Sequence, residues 1–249
     1  MKTILNVSAY QFVTVSDTLA LRDSILSQAR SHALRGTVLL AEEGINLALA
    51  GTARALRDFM LWLRADARFA DMPQRSSWSD EIPFERLRVK IKREIIRMDC
   101  PAIRPEAGRA AAVDAVTLAR WLCAGHDNRG RTIAMLDTRN AFEVDSGAFI
   151  GAIDWRLSRF GEFPAALAAH KHELAGKTVV TYCTGGIRCE KAALLMHQTG
   201  VEHVLQLDGG ILNYFAHTRQ APHWRGACFV FDQRTALEVA FRRQDELMN

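Results

Sequence analysis

"VVTYCTGGIRCEKA", Val179–Ala192, decides the reading of the fold. The run from Val179 to Cys183 has the length and apolar content of a buried strand. A glycine pair follows, and a helix is expected from about Cys189 to Thr199. Strand, tight turn and helix make up the repeating unit of a parallel α/β sheet. Ligands of such sheets sit at the carboxyl ends of the strands, which is where Cys183 falls. Between Cys183 and Arg188 stand Thr184, Gly185, Gly186 and Ile187. Both glycines can take positive φ, which lets successive backbone N–H groups point at one spot. The helix N-terminus adds its positive end, and Arg188 adds a full charge. All three features favour an anion, and the nearest candidate is a thiolate. A cysteine so placed is expected to titrate in the range of roughly 3.5–7.5. The same cradle suits a persulfide or a bound oxyanion. The bland alternative is an inert cysteine that ends a core strand.

Working outward, "TIAMLDTR", Thr132–Arg139, reads as a second buried strand, and "VEHVLQLDGG", Val201–Gly210, as a third with its turn. Continuous apolar strands separated by helices predict a mostly parallel sheet over residues 128–222. Residues 223–249 form a short extension with a "CFVFD" strand and a charged tail. The chain before residue 98 has a different rhythm. It reads as a strand at Asn6–Val15, a helix at Asp17–His32 ended by Gly36, and a hairpin in "TVLLAEEGINLALAG". A helix opened by Thr52 and a final strand in "FERLRVKIKREI" complete it. The order β-α-β-β-α-β is ferredoxin-like. Pro101, Pro105 and Gly108 mark residues 98–127 as a linker carrying a short helix, Val116–Cys123. The predicted class is thus α+β followed by α/β, in two domains: 1–97 and 128–222.

Composition excludes some functions and leaves others open. The 249 residues are 49% apolar and 24% charged, with net charge +4. That suits an anionic partner without requiring one. No secretory h-region and no run of about 18 apolar residues is seen, so a cytoplasmic, non-membrane protein is expected. The five cysteines are odd in number and scattered, with no CxxC pair, so neither a disulfide framework nor a zinc site is expected. No HExxH or GxGxxG occurs, so no metal, flavin or nicotinamide is expected. Arg86, Arg88, Lys90 and Lys92 alternate with Leu87, Val89 and Ile91, and Arg93 follows. On a strand this sets the cations on one face, spaced to meet RNA phosphates. A solvated edge strand guarded by charge is the alternative. Trp78 is expected to pack rather than to stack on a base.

Loop length narrows the chemistry. Cysteine-based phosphatases carry Cys-x5-Arg, whereas this chain has Cys183-x4-Arg188, which resembles the rhodanese loop. "LDTRNAFEVDSGAFIGAI", Leu136–Ile153, resembles the rhodanese signature, with Asp137, Arg139 and Glu143 at its charged positions. "LDGGI" resembles its closing motif. Over nearly the whole chain, "LLAEEGIN", "RLRVKIKREI", "YCTGGIRCEKA" and "CFVFDQR" resemble the bacterial tRNA uridine hydroxylases of the rhodanese superfamily. The resemblance implies an acylphosphatase-like N-terminal domain joined to a rhodanese domain. It implies oxygen-dependent hydroxylation of the wobble uridine, in the tRNA anticodon loop, to 5-hydroxyuridine. It places the active-site cysteine at Cys183 and makes molecular oxygen the co-substrate, with no other cofactor evident and no reductant indicated. Cys189 either resolves an oxidised Cys183 or packs beneath the helix. Some relatives carry extra C-terminal cysteines, but this chain has only Cys228 there, so a family-type zinc site is not expected. Two rivals stand beside this reading: a sulfurtransferase that carries persulfide on Cys183, and a non-catalytic RNA-binding module.

Overall fold

The computed structural model describes residues 3–237. It divides into two compact units. One holds the residues up to Arg97 with Arg104–Gly108; the other holds Met98–Ile103 with the residues from Arg109 onward.

The first unit contains β1 (Ile4–Phe12), α1 (Thr18–Ser31), β2 (Arg35–Ala41), β3 (Gly44–Thr52), α2 (Ala53–Arg64), β4 (Gln74–Ser79) and β5 (Leu87–Ile91). Its sheet runs β4-β1-β3-β2-β5. The first four strands have the ferredoxin-like arrangement, but its last strand is β4, not "FERLRVKIKREI". That basic segment contributes β5, an added strand at the opposite edge that runs parallel to β2. β4 escapes sequence reading because Gln-Arg-Ser-Ser-Trp-Ser has no apolar alternation. A ladder to β1, from Ile4↔Ser79 to Ala9↔Gln74, holds it in place. The Asn6 amide supports that ladder by donating to Ser79 Oγ at 2.9 Å. Trp78 packs against the core.

Two local features show why these residues form these elements. Thr52 caps α2, its hydroxyl accepting from the Ala55 amide at 3.2 Å. Leu56, Phe59, Met60 and Leu63 then recur at helical spacing and are all buried. Truncating Phe59 to alanine is expected to cost about 3–5 kcal/mol. Gly36 does not end α1. It lies within β2 at φ +131°, where a Cβ would sit 2.1 Å from the Ala48 carbonyl oxygen, so only glycine lets β2 and β3 approach there. The helix turn is made instead around Ala33, at φ +52°.

The second unit contains β6 (Ala112–Val113), α3 (Ala115–Ala124), β7 (Ile133–Asp137), α4 (Ala141–Ser146), β8 (Gly147–Phe149), β9 (Ile153–Asp154), α5 (Phe163–His170), β10 (Thr178–Tyr182), α6 (Ile187–Gln198), β11 (Val204–Leu207), α7 (Gly210–His217), β12 (Trp224–Gly226), β13 (Cys228–Phe229) and β14 (Ala236–Leu237). Five strands form a parallel sheet in the order β6-β11-β10-β7-β9. Every residue of the central β10 is buried, as an apolar strand covered on both faces must be. Residues 98–127 are more than a connector. β6 joins the sheet through β11, and α3 buries Leu118 and Trp121 in this unit's core. The extension is also tied in, because β12 pairs with β8 and Trp224 packs on Phe149 at 5.3 Å. Its last residues, 238–249, lie outside the described part of the chain.

Candidate active site

Three neighbouring strands of the parallel sheet, β7, β10 and β11, deliver their carboxyl ends to one place. β10 ends at Tyr182, so Cys183 is the first residue of the turn. α6 begins at Ile187, two residues sooner than the sequence pattern predicts, which places Arg188 inside its first turn. The turn is therefore tighter than expected. Gly186 takes positive φ, +100°, as foreseen; Gly185 does not. With that geometry the Gly186 amide donates to the Cys183 sulfur at 3.1 Å.

Cys183 is fully buried. Burial by itself raises a thiol pKa, because it penalises the charged form. Here it is outweighed by the Cys189 thiol, which hydrogen-bonds the sulfur, by the Arg188 charge, and by the Arg188 and Gly186 amides. The result is a Cys183 held well below the ordinary thiol value. Cys189, equally buried, goes the other way: desolvation and the neighbouring Cys183 push it well above that value. Cys189 also lies 3.8 Å from the Thr138 hydroxyl. A third thiol, Cys228, is raised to about 12, chiefly by burial.

The arginine that serves this turn is itself held from across the sheet. Both terminal nitrogens of Arg188 donate to Glu143, at 2.6 and 2.8 Å. Such a two-point fork fixes orientation as well as charge. Glu143 is fully buried and also accepts from the Asn140 amide at 3.0 Å. The α4 turn that carries Glu143 is positioned by Arg139. That guanidinium pairs with Asp137 at 2.6 Å and donates to the carbonyls of Glu143 and Gly147, at 3.2 and 2.7 Å. It lies over the rings of Tyr182 and Trp224. The Asp137, Arg139 and Glu143 of the sequence signature thus form a relay of positions that ends at Arg188.

The turn after β11 closes the site from the third side. The Ile211 and Leu212 amides donate to the carbonyls of Cys183 and Thr184, at 3.0 and 3.1 Å. Gly210, at φ +66°, has no room for a side chain. A Cβ there would lie 2.4 Å from the Cys183 carbonyl oxygen and 2.8 Å from the Gly186 nitrogen. Sequence reading singled out the "LDGG" stretch but not Gly210 as a support of the cysteine turn. The signal was its second glycine, whose neighbour across the fold is invisible in one dimension.

Family models match both halves of the chain. The UPF0176 acylphosphatase-like domain matches residues 4–95, and the rhodanese-like domain matches residues 119–217. A tRNA uridine(34) hydroxylase of Bordetella pertussis is 59% identical over 244 residues, covering 98% of this chain and all of the relative. One from Variovorax paradoxus is 60% identical over 237 residues, covering 95% of this chain and 90% of the relative. The chain belongs to the tRNA uridine(34) hydroxylase family. Among solved structures, the rhodanese-like domain of an Anabaena protein is similar at 22% identity and TM-score 0.37, over 46% of this chain and 78% of that one.

In this member of the tRNA uridine(34) hydroxylase family the basic residues belong to the first unit. Arg86, Arg88, Lys90, Lys92 and Arg93 are all exposed along and beyond the edge strand β5. Val89 turns inward, but Ile91 is 39% exposed, so the expected alternation fails at its last apolar position. The "EEGIN" turn nearby is a clamp as well as a turn. Glu43 accepts from the Ile95 amide at 2.7 Å, and the Asn46 amide donates to the Ile95 carbonyl at 3.3 Å. Among the described residues no helix is long and apolar enough to cross a membrane, and no cluster of three or more His, Cys, Asp or Glu could hold a metal ion.

Proposed function

We propose that this protein hydroxylates the wobble uridine of tRNA at C5, giving 5-hydroxyuridine, with Cys183 as its reactive group. The observation that carries the reading is the identity of about 60% over nearly the full length to relatives named for that activity. The geometry supports it with a sulfur poised as an anion. Cys183 is buried, hydrogen-bonded by the Gly186 amide, and faced by a guanidinium whose own charge is balanced by Glu143. Preorganised donors of this kind stabilise negative charge most where water is excluded. Molecular oxygen supplies the new oxygen atom, and a reductant supplies two electrons that, with two protons, carry its second atom to water. Cys183 holds the sulfur-centred intermediate, and Arg188 with the turn amides stabilises its charge. Cys189, held as a neutral thiol, is a hydrogen-bond donor to Cys183 and a candidate resolving thiol. The exposed cations of β5 and beyond, from Arg86 to Arg93, hold phosphates of the anticodon arm, a contribution that weakens with salt.

The test is mass spectrometry of tRNA nucleosides from cells lacking the gene, re-supplied with wild-type or Cys183→Ser protein. The expected result is loss of 5-hydroxyuridine in the deletion and its return with wild type only. The four-residue spacing of Cys183 and Arg188 also suits a persulfide, so sulfurtransfer is the second reading. Unchanged 5-hydroxyuridine, together with a persulfide on Cys183 formed from thiosulfate, would replace the first reading with the second.

A further inference from the structure

Two large aromatic side chains remain in water beside the site. Phe142 is 47% exposed and Phe231 is 63% exposed; the other large apolar side chains exposed among the described residues are aliphatic. The two rings meet edge to face, at 6.3 Å and 88°. Phe229 completes the group, 5.1 Å from Phe142 and 5.3 Å from Phe231, again near perpendicular in both cases. Rings so disposed form an open corner rather than a flat patch. The Arg188 guanidinium lies 6.0 Å from the centre of the Phe231 ring. Phe142 is the residue before Glu143, which grips that same guanidinium. The corner therefore stands next to the charged group that serves Cys183.

Leaving these rings in water forgoes the stabilisation that burying an aromatic side chain brings. A planar partner offering a π-face would recover it, without any need for matching hydrogen bonds. Enzymes that modify a base take it out of its stack, and the unstacking cost is offset by new contacts in the pocket. We propose that Phe231, backed by Phe142 and Phe229, stacks on a nucleobase of the anticodon loop, the extruded wobble uracil or its neighbour, and holds it over the Cys183 turn. The proposal rests on the hydroxylase reading for the identity of that base. Phe231 touches the substrate through its ring face, Arg188 supports the ring from the site, and Phe142 fixes the ring's tilt.

The test uses an anticodon stem-loop RNA with uridine at the wobble position and the full-length protein as wild type, Phe231→Ala, Phe231→Leu and Phe231→Trp. Affinity is read by fluorescence anisotropy. In parallel, 5-hydroxyuridine is measured in tRNA from deletion cells re-supplied with each variant. Alanine and leucine are expected to weaken binding about ten- to a hundred-fold, as loss of one stacking platform does, and tryptophan to restore it. Phe142→Leu is the second variant, expected to weaken binding by a smaller factor. Leucine binding as tightly as phenylalanine overturns the proposal, as does a wild type that does not bind the stem-loop. Binding that needs an aromatic residue at 231, in a protein that makes no 5-hydroxyuridine, leaves the platform standing and overturns the hydroxylase reading. Hydroxylation equal in all four proteins does the reverse.

Discussion

Cys183 and Cys189 lie six residues apart, one opening the turn after β10 and one in the first turn of the next helix, and both are fully buried. Burial raises both thiols, yet one is held below the ordinary value and the other above it. The difference lies in what reaches each sulfur. Cys183 receives the Gly186 amide, the Cys189 thiol and the charge of Arg188. Cys189 sits behind it, beside the Thr138 hydroxyl, with an anion for a neighbour. The protein thus makes one thiolate and keeps the adjacent thiol protonated as its donor. Depth does not separate the two; donor geometry does, and the turn supplies it.

The largest expected effect is on chemistry. Cys183→Ser is expected to reduce cellular 5-hydroxyuridine formation on the order of a thousand-fold or more, as loss of a reacting thiol does. Cys189→Ser keeps a donor at the second position and is expected to retain activity within about ten-fold. Equal losses in the two variants would erase the distinction drawn here.

The second effect is on stability. Glu143→Gln leaves the Arg188 guanidinium buried with its counter-charge removed. Breaking one side of a buried pair costs about 3–5 kcal/mol, read as a lowered midpoint in denaturant. With Glu143 neutral, the guanidinium acts on Cys183 without competition, so the Cys183 pKa is expected to fall further even as stability drops. Movement of both quantities in the same favourable direction would contradict the arrangement.

Gly210→Ala comes third. Its φ of +66° and the 2.4 Å approach to the Cys183 carbonyl oblige the turn to shift. About 1–3 kcal/mol of stability is expected to be lost, together with part of the thiolate's stabilisation, read as a higher pH for half-alkylation of Cys183. Unaltered Cys183 reactivity in this variant would show that α7 does not brace the turn.

The smallest effect sharpens the comparison most. Cys189→Ala removes one charge-assisted donor from the Cys183 sulfur while leaving the Gly186 amide and Arg188 in place. One such hydrogen bond corresponds to a rise of about one pH unit in the Cys183 titration. No rise would mean that the Cys189 thiol does not serve as that donor.

The part of this site that is local in sequence was legible, and the part that is not was hidden. The turn from Cys183 to Arg188 could be read as an anion cradle because glycines, helix start and arginine lie within six residues. The helix start was misplaced by two residues, since Ile187 and Arg188 have no capping side chain before them; Gly186 opens α6 through backbone conformation alone. Glu143 was visible as part of a charged signature, but its grip on Arg188 spans 45 residues and exists only after β7 and β10 pair. Gly210 and Gly36 share one cause. Each is required by a backbone oxygen from another element, which no local pattern reveals. The edge strand β4 was missed because ladder bonds to β1, rather than apolar alternation, define it. The core face of α2 was legible throughout, because amphipathic spacing is a local property. On α1 the spacing that sets Leu19, Ile25, Leu26 and Ala29 on one face holds for Ile25 and Ala29, but Leu19 is 70% exposed and Leu21 is buried in its stead.

The opposite shifts also act oppositely on stability. Cys183, with its folded pKa depressed, adds stability that is complete above the ordinary thiol value of roughly 8.5 and is lost as pH falls through the folded value. Cys189, with its folded pKa raised, adds stability that is complete below the ordinary value and is lost as pH rises through its folded value.

The most direct test of the central claim is site-resolved alkylation of the native protein with iodoacetamide, followed by mass spectrometry of the Cys183 and Cys189 peptides across a pH series from acid to mildly alkaline. The account predicts a Cys183 profile whose half-point lies well below that of an ordinary thiol, with Cys189 unmodified over the same range. A Cys183 half-point at or above the ordinary thiol value, or parallel profiles for the two cysteines, would contradict it.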